Sequence, residues 1–580
     1  MFDPYRMIIV NIAASILLLM GILIYKYIFP KKKINYFYLL LLISIIPIIS
    51  IFRTGAYQSG DFSIHVRRSM EFYKVLTEGN LIPSWAGDLN ATYGYPLFAF
   101  NYILPYYITA FFHLFGFSFI NSFKLLLSSS FIFSGIFMYL FSKNLFKKDL
   151  PAFGASIFYL FVPYHLIALH FGVTVGEVLS YTFIPLVFYF INVYFNSKKV
   201  VYLILSSLSL SLVLFSHILV AIFLVPVFFA YLILRSKNII RSIAYSFFVV
   251  VICLVISSFQ WSSSFIYKPY LFTTVYPPGF IYFPTLTDLL YAPWRFGFLF
   301  QGHKGELSFL IGYTQLAVIA IATFYILIKK RAASYKNELV FWLTIIFLTA
   351  FLIMPQSKFI WNHMQILAEA GTHRLLIPIS FFTSILAGFV MLVLKKRKLF
   401  IYTLILLTIF TTILNWGQRT MVPNVNDAAL RKDLPLGVNW GDGHFYANSR
   451  WVNPKKPWFS VIPKSPILIT NGQGKIIPII RTSTLHTYNV NAETLLKVTE
   501  NTLYFPGWKA SFNKKPISIG PDKNGVMSFT LPKGNGVLIL KYEDLPLFTI
   551  SKIVSAISLI LVLVYVLYFT AKRFLSRPKS

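Results

Sequence analysis

Four side chains just past residue 60 have types and spacing that could do chemistry. Asp61, His65, Arg68 and Phe72 recur at i, i+4, i+7 and i+11, so one helical face would carry an acid, an imidazole and a guanidinium together. The imidazole could ligate a divalent metal or position the acid. An Asp–His pair at this spacing is a weak metal signal, and a simple hydrogen-bonded pair is the better explanation. The opposite stripe, Phe62, Val66, Met70 and Tyr73, is apolar and suits lipid or neighbouring helices. Asp61 has an ordinary alternative role as the N-cap of a helix closed by Gly79.

Eleven acids lie outside residues 418–548, and among them Glu177 stands out beside Asp61. It opens an apolar segment, where a carboxylate near hydrocarbon is costly. A helix macrodipole that favours an N-terminal acid is its ordinary explanation. Arg295, Lys304 and the pair His373-Arg374 sit at the ends of apolar segments, where an arginine suits a lipid-linked phosphate and head-group anchoring is the plain alternative. Tyr93 and Tyr95 add hydroxyls and rings in Tyr93-Gly-Tyr-Pro96. His165, His170 and His217 fall in or near apolar segments and read as packed side chains. The sequence holds no phosphate-cradling glycine loop before a lysine, no dinucleotide fingerprint, no paired-histidine zinc helix and no serine nucleophile elbow. Energy for a reaction would therefore come with the substrate.

The elements that must hold these groups are membrane helices. The chain has 580 residues, 57% hydrophobic, with mean hydropathy +0.68, far from soluble composition. Its net charge of +33 gathers at the ends of apolar runs, which fits positive-inside anchoring and anionic lipid and argues against nucleic acid. The single cysteine, Cys253, permits neither an internal disulfide nor a cysteine metal site. The first apolar run, Met7 to Phe29, is too long for a signal-peptide core and reads as a retained helix.

Spans are expected near 7–29, 34–52, 122–142, 152–171, 178–195, 200–216, 218–234, 241–260, 311–328, 338–355, 374–394, 399–416 and 549–570, about thirteen in all. The basic clusters, from Lys31-Lys-Lys33 to the Lys572–Lys579 tail, set an external N-terminus and a cytoplasmic C-terminus. Residues 97–116 are long enough to span, but counting them would put Lys143–Lys148 outside, so they read as a juxtamembrane or re-entrant piece, with a true span as the alternative. Large external loops then cover 53–120 and 261–310, and Asp61 and Glu177 share one side of the membrane. Residues 418–548 are less hydrophobic and carry eight of the nineteen acids. Alternating runs such as Gly536–Tyr542, punctuated by Asp522-Lys-Asn-Gly525, predict an external β-sandwich-like domain. The organisation expected is thus 1–417 as the membrane module, 418–548 as the β domain, and 549–580 as a final span with a basic cytoplasmic tail.

Gly60-Asp61-Phe-Ser-Ile-His65, Arg68, Gly79, Pro83-Ser-Trp85, Tyr93-Gly-Tyr-Pro-Leu-Phe98, Ser156 to His165 and Gly176-Glu177 resemble the bacterial membrane family labelled "6-pyruvoyl-tetrahydropterin synthase-related". The long first loop with an acid just past a span, a second acid in the next loop, and the C-terminal domain are similar to the GT-C glycosyltransferases. Tyr504-Phe-Pro-Gly-Trp508-Lys-Ala510 resembles a motif opening the β domain of related lipid-sugar transferases. The resemblance implies a polytopic α-helical GT-C-like fold and transfer of a sugar, with inversion, from a polyprenyl-phosphate donor to an extracytoplasmic glycan, lipid or protein. It implies Asp61 as general base, Glu177 as a second catalytic acid, and Arg374 on the donor phosphate. His65, Arg68, Tyr93, Tyr95, Arg295, Lys304 and His373 complete the expected substrate-binding set. Ser59 and Gly60 flank Asp61 where many GT-C enzymes pair two acids, so no metal ligand is assigned, although a divalent metal stays possible as a cofactor. The expected location is the plasma membrane, multi-pass, with an extracytoplasmic site. A lipid-linked sugar transporter or flippase and a non-catalytic envelope scaffold are the rival readings; sparse ionisable residues within the spans argue against the transporter.

Overall fold

The computed structural model describes residues 6–271, 282–293, 308–329, 335–364, 371–416, 421–435, 449–452 and 459–575. The chain is a polytopic helical membrane protein with a C-terminal β-rich domain. Nine described helices are long and apolar enough to cross a bilayer, from Met7–Ile28 to Pro546–Lys572. Three shorter apolar helices, Tyr36–Phe52, Val201–Ser216 and Tyr313–Ile328, fall on other expected segments. The segment expected at 152–171 is broken: Asp149–Leu160 meets Pro163–Gly172 at 48°. Pro163 has no N–H to continue the ladder, and the chain then widens through a π-turn at Ala168–Gly172.

Small side chains let the helices approach. A Cβ on Gly154 would fall 2.2 Å from the Met391 sulfur, and one on Gly388 would fall equally close to the Phe146 ring. Many serines on the helix walls return their hydroxyls to their own backbone, as Ser180 does to Gly176 O and Ser384 to Ser380 O, which pairs those donors inside the apolar interior. Helix Val175–Ser197 packs between Phe119–Phe146 and Val201–Ser216, and helix Leu376–Val393 is buried on nearly every face. Residues 97–116 form a short turn at Leu97–Phe100 and a helix Leu104–Leu114 of 11 residues, too short to cross a membrane.

Two sheets make the C-terminal domain. Numbering strands along the chain, β1 is Ala56–Tyr57, β2 Met421–Val422, β3 Ile467–Asn471, β4 Gly474–Arg481, β5 Leu485–Ala492, β6 Leu496–Leu503, β7 Trp508–Phe512, β8 Lys515–Ile517, β9 Gly520–Pro521, β10 Val526–Leu531 and β11 Gly534–Tyr542. Strands β3-β6-β10-β9 form one sheet and β4-β5-β11-β7-β8 the other, all pairs antiparallel. Alternation along β5 and β6 buries Tyr488, Val490, Leu496 and Val498 between them. Strand β2 belongs to neither sheet. It pairs with β1 in the first loop, which ties the end of the helical module to the approach to Asp61.

The β domain is seated on residues 78–93. Trp85 is fully buried against Phe505, Trp508 and Tyr542, with ring centroids 5.1–6.2 Å apart. Burial on this scale contributes about 1.5–3 kcal/mol per large apolar side chain. Ser483 N–H donates to Glu78 Oε2 at 2.9 Å, and Ser84 Oγ donates to Asp544 Oδ1 at 2.8 Å.

Candidate active site

Helix Phe62–Thr77 presents Asp61 at its N-terminus, but Asp61 does not cap it. Its side chain makes no capping bond; Ser59 Oγ instead accepts from Phe62 N–H at 3.1 Å. Because a serine does the capping, the carboxylate is left for other use. Asp61 makes no side-chain hydrogen bond or ion pair with any described residue.

Backbone contacts hold the loop from several sides. Gly60 N–H donates to Phe171 O at 2.8 Å and Asp61 N–H to Gly172 O at 3.0 Å, so the loop is fastened to the π-turn. A Cβ on Gly60 would lie 2.8 Å from Gly172 O, which explains the glycine sterically. Lys124, buried in helix Phe119–Phe146, donates to the carbonyls of Arg53 and Gly55 at 2.6 Å each. After the π-turn, Val173 adopts φ +52°, the left-handed region that a β-branched residue avoids. That reversal starts helix Val175–Ser197 and brings Glu177 into its first turn.

Glu177 is committed to the protein. Tyr164 OH donates to Oε2 at 2.8 Å, Thr174 Oγ1 reaches the same oxygen at 3.3 Å, and Arg374 Nε donates to Oε1 at 2.9 Å. Arg374 follows Gly371, whose φ of +86° turns the chain into the 3-10 segment Thr372–Leu375. Only its Nε is used among the described residues; the Nη groups make no hydrogen bond there. His373 lies against Phe309, 5.1 Å between ring centroids.

The face that carries His65 and Arg68 is not open to water. His65 and Arg68 are 2% exposed and Phe72 is wholly buried, while Phe62, Val66 and Met70 on the opposite stripe are buried too. Helix Leu104–Leu114 and its lead-in cover the polar face: Tyr106 OH lies 3.1 Å from His65 Nδ1 and Tyr102 OH 3.4 Å from Nε2. Both imidazole nitrogens thus face tyrosine hydroxyls, and burial lowers the pKa of His65 well below its ordinary value. His65 positions tyrosines rather than a metal. Among the described residues no group of three His, Cys, Asp or Glu side chains could hold an ion.

Electrostatics link the parts. Burial raises the Asp61 carboxyl to about 6; the charges of Arg68 and Arg374 oppose that rise and the charge of Glu177 adds to it. Asp61, His65, Arg68, Glu177, His373 and Arg374 therefore belong to one neighbourhood. Tyr93 and Tyr95 are used elsewhere. Tyr93 stacks on Phe459 at 3.9 Å and its carbonyl accepts from Leu503 N–H, while Tyr95 is buried in a bridge with Ala86. Arg295 and Lys304 lie outside the described residues. The structure adds Tyr102, Tyr164, Thr174 and His217 to the site; His217 is buried, 5.8 Å from Tyr102 between ring centroids. The density of tyrosine and proline between 93 and 107 was the available signal for Tyr102.

No family model matches the chain. An uncharacterized protein of Lactococcus lactis subsp. cremoris (strain MG1363) is 24% identical over 222 residues, 37% of this chain and 36% of the relative. The chain thus spans about a third of the length of the curated relative it matches. Among solved structures, arabinofuranosyltransferase AftD from Mycobacteria is similar with a TM-score of 0.47 and 14% identity, covering 68% of this chain and 27% of that one. The archaeal oligosaccharyltransferase AglB from Archaeoglobus fulgidus, solved with an inhibitory peptide and a dolichol-phosphate, is similar at 0.41 and 12%, covering 66% and 55%. Likeness of this degree assigns no activity, so the functional reading rests on the site.

Proposed function

We propose that this protein is a membrane glycosyltransferase of GT-C type that moves a sugar from a polyprenyl-phosphate donor to an extracytoplasmic acceptor. The observation that carries the reading is a contrast within one neighbourhood: the Asp61 carboxylate has no partner among the described residues, while Glu177 is held by Tyr164, Thr174 and Arg374. The resemblance of the Gly60–His65 motif and of Gly176-Glu177 supports the same assignment.

The chemistry balances without a resident cofactor. An acceptor hydroxyl gives its proton to Asp61 as its oxygen bonds to the anomeric carbon. The bond from that carbon to the phosphate oxygen breaks on the opposite face, and its electron pair leaves with polyprenyl phosphate. Attack opposite the leaving group inverts the anomeric carbon. Arg374, whose Nη groups make no hydrogen bond among the described residues while Glu177 fixes its Nε, is suited to receive the developing phosphate charge. Glu177 is a positioning residue in this scheme, since its carboxylate acts through Arg374. A divalent metal, if one takes part, would need ligands from the substrate as well as Asp61.

The test compares wild type and Asp61→Asn, both in lipid nanodiscs with labelled polyprenyl-phosphate sugars and envelope extracts. Loss of transfer by a folded variant is expected; equal transfer by both proteins would remove Asp61 from the reaction.

A further inference from the structure

Next to Asp61 lies a cavity of about 400 Å³, lined by Ala56, Tyr57, Gln58, Ser59, Gly60, Ser63, Val422 and Val425. Its size is in the range of small-molecule sites. Its walls come from two distant parts of the chain, joined by the β1–β2 pairing of Ala56 with Val422 and Tyr57 with Met421. That junction is built to a close tolerance. Gly55, at φ +79°, would put a Cβ 2.4 Å from Val422 O. Beyond β2, Asp427 accepts from the N–H groups of Phe119 and Ile120 at 2.7 and 3.1 Å, which anchors the 421–435 segment to the start of helix Phe119–Phe146. The cavity thus lies between two segments that are each tied to the helical module by hydrogen bonds involving backbone groups.

We infer that this cavity is the subsite for the acceptor, and that it takes an uncharged saccharide. The inference rests on the glycosyltransferase reading for the word acceptor. Three features carry it. None of the described lining side chains is charged, so among the described residues an anionic or cationic acceptor would find no counter-ion. The lining instead offers neutral hydrogen-bonding groups: Gln58 and Ser63 make no side-chain hydrogen bond among the described residues, and the Ser59 hydroxyl accepts from Phe62 N–H and keeps its proton to donate. Neutral donors and acceptors interleaved with small apolar patches match the hydroxyls and C–H faces of a sugar. Last, Ser59, Gly60 and Ser63 flank Asp61 in sequence; the Asp61 side chain is not itself part of the described lining, so a saccharide held there would present its hydroxyl toward that carboxylate from the cavity's edge. The charged groups that act on Asp61, namely Arg68, Glu177 and Arg374, are absent from this lining. The site thus divides into a cationic part suited to the donor phosphate and a neutral part suited to the acceptor.

The experiment measures binding of soluble trisaccharides, without any donor, to the full chain in nanodiscs. The probes are maltotriose and mannotriose as neutral ligands and trigalacturonic acid as an acidic one. A neutral trisaccharide should bind wild type more tightly than the acidic one. Val425→Trp, which fills the cavity from a partly exposed position, should weaken that binding about tenfold, and so should the double variant Gln58→Ala/Ser63→Ala, which keeps the space and removes hydrogen bonds. Thermal unfolding of each variant separates lost binding from lost fold. Binding unchanged in both cavity variants, preference for the acidic probe, or no neutral binding by wild type would each overturn the inference. Transfer surviving in Asp61→Asn would instead overturn the assignment of Asp61 as the base while leaving the cavity result standing.

Discussion

Two acids of this chain, Glu500 and Asp61, sit in opposite circumstances. Glu500 on β6 is wholly buried between the sheets, where Tyr488 OH, His486 Nδ1 and Arg481 Nη1 lie 2.9, 3.0 and 3.4 Å from its Oε1. Burial pushes its carboxyl upward, yet the charges of His486 and Arg481 hold it below the usual range. Asp61 is less buried, has no such partner, and is held above the usual range. A buried acid surrounded by donors is there to define a fold; a sheltered acid left without them is poised to accept a proton. Glu177 lies between these cases, since it is as buried as Glu500 but spends its contacts on orienting an arginine.

If that contrast is right, neutralising each acid should do opposite things. Asp61→Asn is expected to lower transfer by a factor of about 10²–10⁴, the usual worth of a general base, with thermal stability nearly unchanged. Glu500→Gln should leave the chemistry intact in protein that folds. It should destabilise the β domain by about 3–5 kcal/mol, because Arg481 and His486 lose a buried partner. Denaturant unfolding beside a transfer assay on both variants reads the two effects together. A Glu500 variant that loses activity at full stability, or an Asp61 variant that unfolds with activity retained per folded molecule, would break the comparison.

Gly60→Ala sharpens it from the backbone side. The added Cβ would meet Gly172 O at 2.8 Å, and neither backbone can yield without moving Asp61. A displacement of about 1 Å at a reacting group can cost about a hundredfold in rate. Transfer should therefore fall by up to about that factor, with at most a modest change in unfolding midpoint. Gly21, whose Cβ would meet nothing within 4 Å, supplies the control, and Gly21→Ala should be silent in both assays.

Much of this arrangement was legible in the sequence because hydrophobic runs and turn residues act locally. The apolar segments correspond to helices, and alternation along Gly534–Tyr542 marks a strand. What the sequence could not show was long-range. Nothing near Tyr93 and Tyr95 reveals that Phe459 and Leu503 will claim them. Nothing near His65 reveals that tyrosines 37 and 41 residues later will cover both its nitrogens. The cap on helix Phe62–Thr77 was ambiguous for a related reason. Ser59 and Asp61 are both capping residues, and only the backbone path decides which of them turns inward. The break at Pro163 was obscured by an unbroken apolar run, in which composition outweighed one proline.

The smallest expected effect is the dependence on pH, and it tests the cause of the contrast. Burial is the main reason that Asp61 titrates near 6 instead of at the ordinary 3.8. An acid raised in this way binds its proton more tightly in the folded chain than in the unfolded one, so its ionisation costs stability as pH rises from about 3.8 to about 6. Glu500, held low, does the reverse: its contribution is present once it is ionised and is lost as pH falls. For the reaction, only ionised Asp61 can take a proton, so the rate should rise through pH 6 and level off above it. Between pH 7 and pH 5 the ionised fraction of a single group with this pKa falls about tenfold, and transfer should fall with it. Asp61→Asn should lose that rise and keep only a low residual rate. Charge neutralisation nearby offers a second handle: Arg68→Gln removes a cation that lowers the Asp61 pKa, so in folded variant protein the midpoint should move upward. A midpoint that stays near 6 in Arg68→Gln, or a wild-type rate flat from pH 5 to pH 7, would mean that the proton acceptor is a different group.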